Sequence, residues 1–167
     1  MNKTLAKYFF LWILILSFDL ALCGMVKIGE KAPAISLMKL ENREYFESEK
    51  LLGEKNMVIC FFSTWSKPFN EEIPKLINMS KEFDDDCLFL LVAVKEKKPL
   101  VRDYIARRDI PLQVVMDKFG KTIKNFGGKE VPMVVVIDKN GLITYHRTGY
   151  EKGDEIKLTE HLNTDLK

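Results

Sequence analysis

The chain has 167 residues, 47% hydrophobic and 30% charged, with Lys and Arg outnumbering Asp and Glu by only 26 to 24. That length builds one hydrophobic core and is short for two. So even a charge balance gives no reason to expect nucleic acid or an anionic surface as partner.

The first residues read as an address rather than as part of the folded domain. Lys3 and Lys7 precede an apolar run, Tyr8 to Phe18, which Asp19 ends. The run is too short for the roughly 20 residues that cross a bilayer. It has the layout of an export signal, with Ala21-Leu22-Cys23 before Gly24 as the cleavage region. Leu20-Ala21-Leu22-Cys23 also resembles a bacterial lipobox, although Leu22 is bulky where that motif is small. Residues 1–23 are therefore expected to be a signal peptide or lipoprotein signal, with Cys23 the lipidation candidate. Residues 24–167 form the working domain, outside the cytoplasm, and the membrane touches it only through the leader or its lipid.

Within the domain, Pro33 ends an extended lead-in. Ile35 to Leu40 and Tyr45-Phe46 are short strands around the turn Glu41-Asn42-Arg43, a hairpin. One helical turn over Glu47 to Leu52 stops at Gly53. Met57 to Phe62 is uninterrupted and apolar, the signature of a strand covered on both faces. After Trp65, helical spacing at Phe69, Ile73, Leu76, Ile77 and Phe83 predicts a helix carrying Pro74 inside it. Cys87 to Val94 is a second central strand. A helix from Pro99 to Arg108 follows, then a strand Leu112 to Met116 and a helical turn near Ile123. Asp138-Asn140-Gly141 sits in a hairpin turn between Val134–Ile137 and Leu142–Thr148. A last helix covers Asp154 to Leu162. Strands joined through a helix run parallel and hairpin strands antiparallel, so the sheet is mixed and flanked by helices.

Several segments in this order resemble the TlpA/ResA-type (AhpC/TSA, redoxin) proteins of the thioredoxin-like superfamily. They are Gly29-x-x-Ala32-Pro33, Phe61-Phe62-x-Thr64-Trp65, Glu72-Ile73-Pro74, Val131-Pro132, and Val136 through Gly141. The resemblance implies an α/β thioredoxin-like fold with an N-terminal β-hairpin extension, and a redox Cys-x-x-Cys directly after Trp65. Here those two positions read Ser66 and Phe69. A cysteine at a helix N-terminus is activated by a lowered pKa, and a second thiol resolves the mixed disulfide. A serine hydroxyl does not ionise near neutrality and a phenyl ring has nothing to exchange. Disulfide exchange at this turn is excluded by residue type.

The remaining candidates are weaker. Ser66 as a nucleophile needs a general base, and the two histidines, His146 and His161, fall on the last hairpin strand and the last helix. Ser66 as a helix N-cap with Pro68 in the first turn accounts for both residues. Glu72 matches the family's proton-transfer carboxylate, or is simply a first-turn acid favoured by the helix dipole. Cys60 and Cys87 sit in apolar strand segments as small hydrophobes, in registers that keep them apart. No metal-ligand spacing is present and no cofactor is expected. The family further implies a cis Val131-Pro132 bond facing Trp65, beside which an extended client pairs its backbone. Trp65, Ser66, Pro68, Phe69, Val131, Pro132 and Met133 are the residues expected there, with Phe69 either lining the groove or plugging it. Two functions follow: a binding or accessory module for an extracytoplasmic protein or peptide, or a thiol-disulfide oxidoreductase acting through Cys60, Cys87 or a partner's thiols.

Overall fold

The computed structural model describes residues 26–164; the expected leader, residues 1–23 with Cys23, lies outside them. Seven strands form one mixed sheet: β1 (Ser36–Lys39), β2 (Tyr45–Glu47), β3 (Asn56–Phe62), β4 (Cys87–Val94), β5 (Gln113–Asp117), β6 (Met133–Ile137) and β7 (Ile143–Thr148). Their spatial order is β2-β1-β5-β4-β3-β6-β7. The helices are α1 (Lys67–Glu82), α2 (Lys98–Arg107), α3 (Lys121–Asn125) and α4 (Asp154–Thr164). The turn expected after β2 is a 3-10 segment, Ser48–Leu51, followed by Gly53 in the left-handed region.

All seven residues of β3 are buried. Alternation along it divides the core. Val58, Cys60 and Phe62 face α1, α2 and α4, packing with Phe69, Ile73, Leu76, Val101, Tyr104 and Leu158. Met57, Ile59 and Phe61 face the lead-in, the first hairpin and α3, packing with Ile35, Phe46, Ile123, Phe126 and Met133. β3, β4 and β5 are parallel, joined through α1 and α2, and β6 and β7 run antiparallel. The first hairpin is more than an appendage: β1 pairs antiparallel with β5 through Met38↔Met116 and Lys39↔Val115, extending the sheet to its far edge.

Helix α1 continues through Pro74 as one element. The missing N–H leaves the Asn70 carbonyl without its usual helical donor. The β6–β7 turn is closed by Asp138 Oδ1, which accepts from Asn140 N at 2.9 Å and Leu142 N at 2.8 Å. Gly141, at φ 82°, occupies the position where a side chain would be strained. A bulge between Val136 and Ile137 shifts the pairing, so Tyr145 and Arg147 turn toward the helices while Ile143 joins the opposite core.

Candidate functional site

The site grows from the end of β3. Residues 63–66 form a turn that ends at Ser66, the N-cap of α1. Ser66 is extended (φ −71°, ψ 112°), and its Oγ accepts from Phe69 N at 3.4 Å. This satisfies one of the free donors at the helix start. Ser66 is buried, and no histidine among the described residues is its hydrogen-bond partner. The turn is fastened from β4's end: Glu96 accepts from Thr64 N at 2.8 Å and Thr64 Oγ1 at 2.6 Å. Ser63 Oγ donates to Val94 O at 3.3 Å. With the turn held this way, Trp65 projects into solvent, 73% exposed.

Phe69 points inward. It is 0% exposed and stacks on Phe62 with centroids 4.4 Å apart, with Tyr104 behind at 6.3 Å. Of the two alternatives for this ring, the structure shows the plug. Tyr104 in turn donates from Oη to Asn70 Oδ1 at 2.6 Å, locking α1 to α2.

The Val131-Pro132 bond is cis. Pro132 and Met133 are buried, a correction to the expectation that they line a groove. Met133 begins β6 and turns its thioether under Gly128, where a Cβ would lie 2.6 Å from Sδ. Val131 is half-buried, and its backbone makes no backbone hydrogen bond among the described residues. Beside it opens a cavity of about 930 Å³, reached by Trp65, Lys95, Ile123, Gly127 and Val131. Of the seven residues expected at the groove, Trp65 and Val131 line this cavity. Pro68 is exposed on the first turn of α1, and Ser66, Phe69, Pro132 and Met133 are buried and do not line the cavity, Phe69 packing on the opposite face of the sheet from Met133.

Glu72 is a second-turn residue, not a first-turn one, and it is buried. Its Oε1 accepts a charge-assisted hydrogen bond from Arg147 Nη2 on β7. Oε2 is buried without a partner among the described residues. Burial pushes this carboxylate up to about 7, against the pull of Arg147. Arg147 Nη1 lies 3.8 Å from Asp154 on α4, and its guanidinium sits over the Tyr150 ring at 5.6 Å. Tyr150 Oη donates to Glu155 at 2.9 Å. The carboxylate one turn beyond Phe69 is thus tied into a buried polar link between α1, β7 and α4. Arg147 was missed from sequence. The available signal was its parity with Tyr145 on an otherwise half-apolar strand, which the bulge obscures.

The two described cysteines are buried free thiols on neighbouring strands. β3 and β4 pair Cys60 with Leu91 and Cys87 with Asn56, so the sulfurs sit four residues out of register. That offset is on the order of 13 Å along the strands, well past disulfide reach. Burial, with Glu72 adding to it, pushes the Cys60 thiol well above the ordinary range. Burial and Asp86 push Cys87 up to about 11. Cys87 lies at the sheet end opposite Trp65. No group of three or more His, Cys, Asp or Glu suited to a metal occurs among the described residues. No helix among them is long and apolar enough to cross a membrane.

The AhpC/TSA family profile matches residues 28–146. The chain is 28% identical over 140 residues to the thiol-disulfide oxidoreductase ResA of Geobacillus thermodenitrificans, covering 83% of this chain and 78% of that one. Among solved structures, a putative thiol:disulfide interchange protein DsbE from Chlorobium tepidum superposes with TM-score 0.78 at 21% identity, over 85% of this chain and 99% of that one. The pneumococcal exposed lipoprotein thioredoxin Etrx1 of Streptococcus pneumoniae superposes at 0.66 and 22% identity, over 76% and 97%. With the turn, the cis-proline and the sheet order in place, the chain belongs to the AhpC/TSA family as a TlpA/ResA-type thioredoxin-like protein.

Proposed function

We propose that this protein is an exported binding or accessory module that holds an extended segment of an extracytoplasmic protein client without exchanging disulfides. The observation that carries the reading is the pair Ser66 and Phe69 at the family's thiol positions, the first spent as an N-cap and the second packed into the core. The unpaired Val131 backbone beside the Trp65 cavity supports the binding half, because an extended chain can add its own N–H and C=O there. Placement outside the cytoplasm rests on the leader and on the likeness to an exposed lipoprotein thioredoxin; an anchor would be through Cys23.

The competing reading, an oxidoreductase like the named relatives, requires Cys60 or Cys87 to meet a client disulfide. Both thiols are buried, Cys60 inside the sheet and Cys87 at the wall of a surface cavity, and a thiol must be a thiolate to attack. The deciding experiment is insulin reduction with dithiothreitol as electron donor. No turnover above background is expected from the wild type. Turnover that disappears in Cys60→Ala or Cys87→Ala establishes the oxidoreductase instead. Gain of turnover in Ser66→Cys/Phe69→Cys shows that the scaffold lacks only its sulfurs.

A further inference from the structure

A second cavity, of about 900 Å³, opens where the first hairpin meets the ends of β4 and β5. It combines two features that the near-neutral composition conceals. Three large apolar side chains stand exposed around it: Phe119 (69%), Tyr45 (55%) and Met38. Exposed apolar groups gathered at one concavity, rather than scattered, mark an interaction site. Five lysines ring the same space: Lys95, Lys97, Lys98, Lys118 and Lys121. None is in an ion pair among the described residues. Lys98 Nζ reaches only a carbonyl, Asn42 O, at 3.4 Å, and Lys118 Nζ lies over the Phe119 ring at 5.4 Å.

The two acids of this cavity are occupied elsewhere. Glu96 accepts from Thr64. Asp117 is buried, and its oxygens accept from Lys121 N and Ile123 N at 3.0 Å each. The backbone also presents one of the lysines. Lys95 is left-handed at φ 55°, and its stem lies across Gly120, where a Cβ would fall 2.4 Å from Lys95 Cε. A side chain at residue 120 would displace it.

We propose that this cavity docks an acidic segment of a protein partner, in which Asp or Glu residues flank an aliphatic or aromatic one. The unpaired cations call for an anionic ligand. The exposed rings and the concavity call for an apolar side chain at its centre, which an anionic polysaccharide lacks and a flat lipid headgroup layer does not insert. The site shares only Lys95 with the Val131 cavity and stands whether or not that one holds a client.

The test is fluorescence anisotropy with a short fluorescein-labelled peptide of Asp and Glu around a central Leu-Phe pair. Saturable binding is expected, weakened about tenfold or more by Lys97→Glu/Lys118→Glu, by Phe119→Ser and by raised salt. Lys31→Glu, at the opposite end of the sheet, and Trp65→Ala should leave it unchanged. Circular dichroism melts check that each variant is folded; all the changed side chains are exposed. The proposal is overturned by absence of binding, by indifference to the charge reversal, or by equal binding of a peptide with Ser-Ser for Leu-Phe or Lys for the acids. It is also overturned if heparin, or phosphatidylcholine vesicles containing phosphatidylglycerol, bind more tightly than the peptide through the same residues. Loss of binding in Trp65→Ala alone moves the peptide to the Val131 cavity, overturning this site while leaving the proposed function intact.

Discussion

Replacing Glu72 by Gln gives the most direct test of how the buried polar link is balanced. Glu72 is nearly inaccessible, and its carboxyl is raised from the ordinary 4.5 to about 7, with burial outweighing the attraction of Arg147. Each pKa unit between folded and unfolded chain is about 1.4 kcal/mol, so the rise corresponds to about 3 kcal/mol. The direction follows from proton counts. The folded chain holds an extra proton between the two pKa values, so Glu72's contribution is fully present below 4.5 and is lost as pH rises through about 7. Gln mimics the protonated acid and does not titrate. Urea denaturation of both proteins between about pH 4 and pH 8 should therefore show near-equal stability at the acid end, with the variant gaining up to about 3 kcal/mol on the wild type by the alkaline end. Subtracting the two curves removes other titrations, including Asp154 and Glu155, whose pKa values are lowered. The opposite result, a wild type that gains on the variant with rising pH, would mean that the ion pair outweighs desolvation, and would refute the reasoning.

Phe69→Ala should cost about 3–5 kcal/mol in urea melts, because the ring is fully buried against Phe62 and Tyr104; a cost below 1 kcal/mol would place the ring at the surface. Ser66→Ala should cost only about 0.5–1 kcal/mol, the cap bond being long at 3.4 Å. Ellman's reagent on the native protein at about pH 8 should label neither Cys60 nor Cys87 until denaturant is added, since Cys87, at about 11, is ionised to roughly one part in a thousand and burial holds the Cys60 thiol well above its ordinary range. Rapid native labelling would instead revive a thiol-based activity.

Much of the architecture could be read from residue patterns because it depends on local periodicity. Cys87–Val94 was bounded to the residue, and Asp138 through Gly141 announced its turn. Glu72 was marked by its place after the Trp65 turn, but its burial and its arginine were not visible. The partner lies 75 residues away on a strand whose face is set by a bulge, and no local pattern encodes that register. Met133 adjoins Pro132 in sequence, but as the first residue of β6 it shares the buried face of Val135 and Ile137 and packs under Gly128.

The amino-acid order by itself determined that no sulfur stands at residues 66 and 69, because residue chemistry does not depend on where the chain goes. It likewise determined which stretches alternate, run apolar or turn, since these depend on neighbours a few positions apart. Tertiary structure alone decided that Phe69 fills core rather than lining a surface. It also decided that Glu72 is lifted toward neutrality, and that lysines from two distant segments, 95–98 and 118–121, converge beside Phe119. Each of these is a property of space between distant segments, where burial and proximity set the energy.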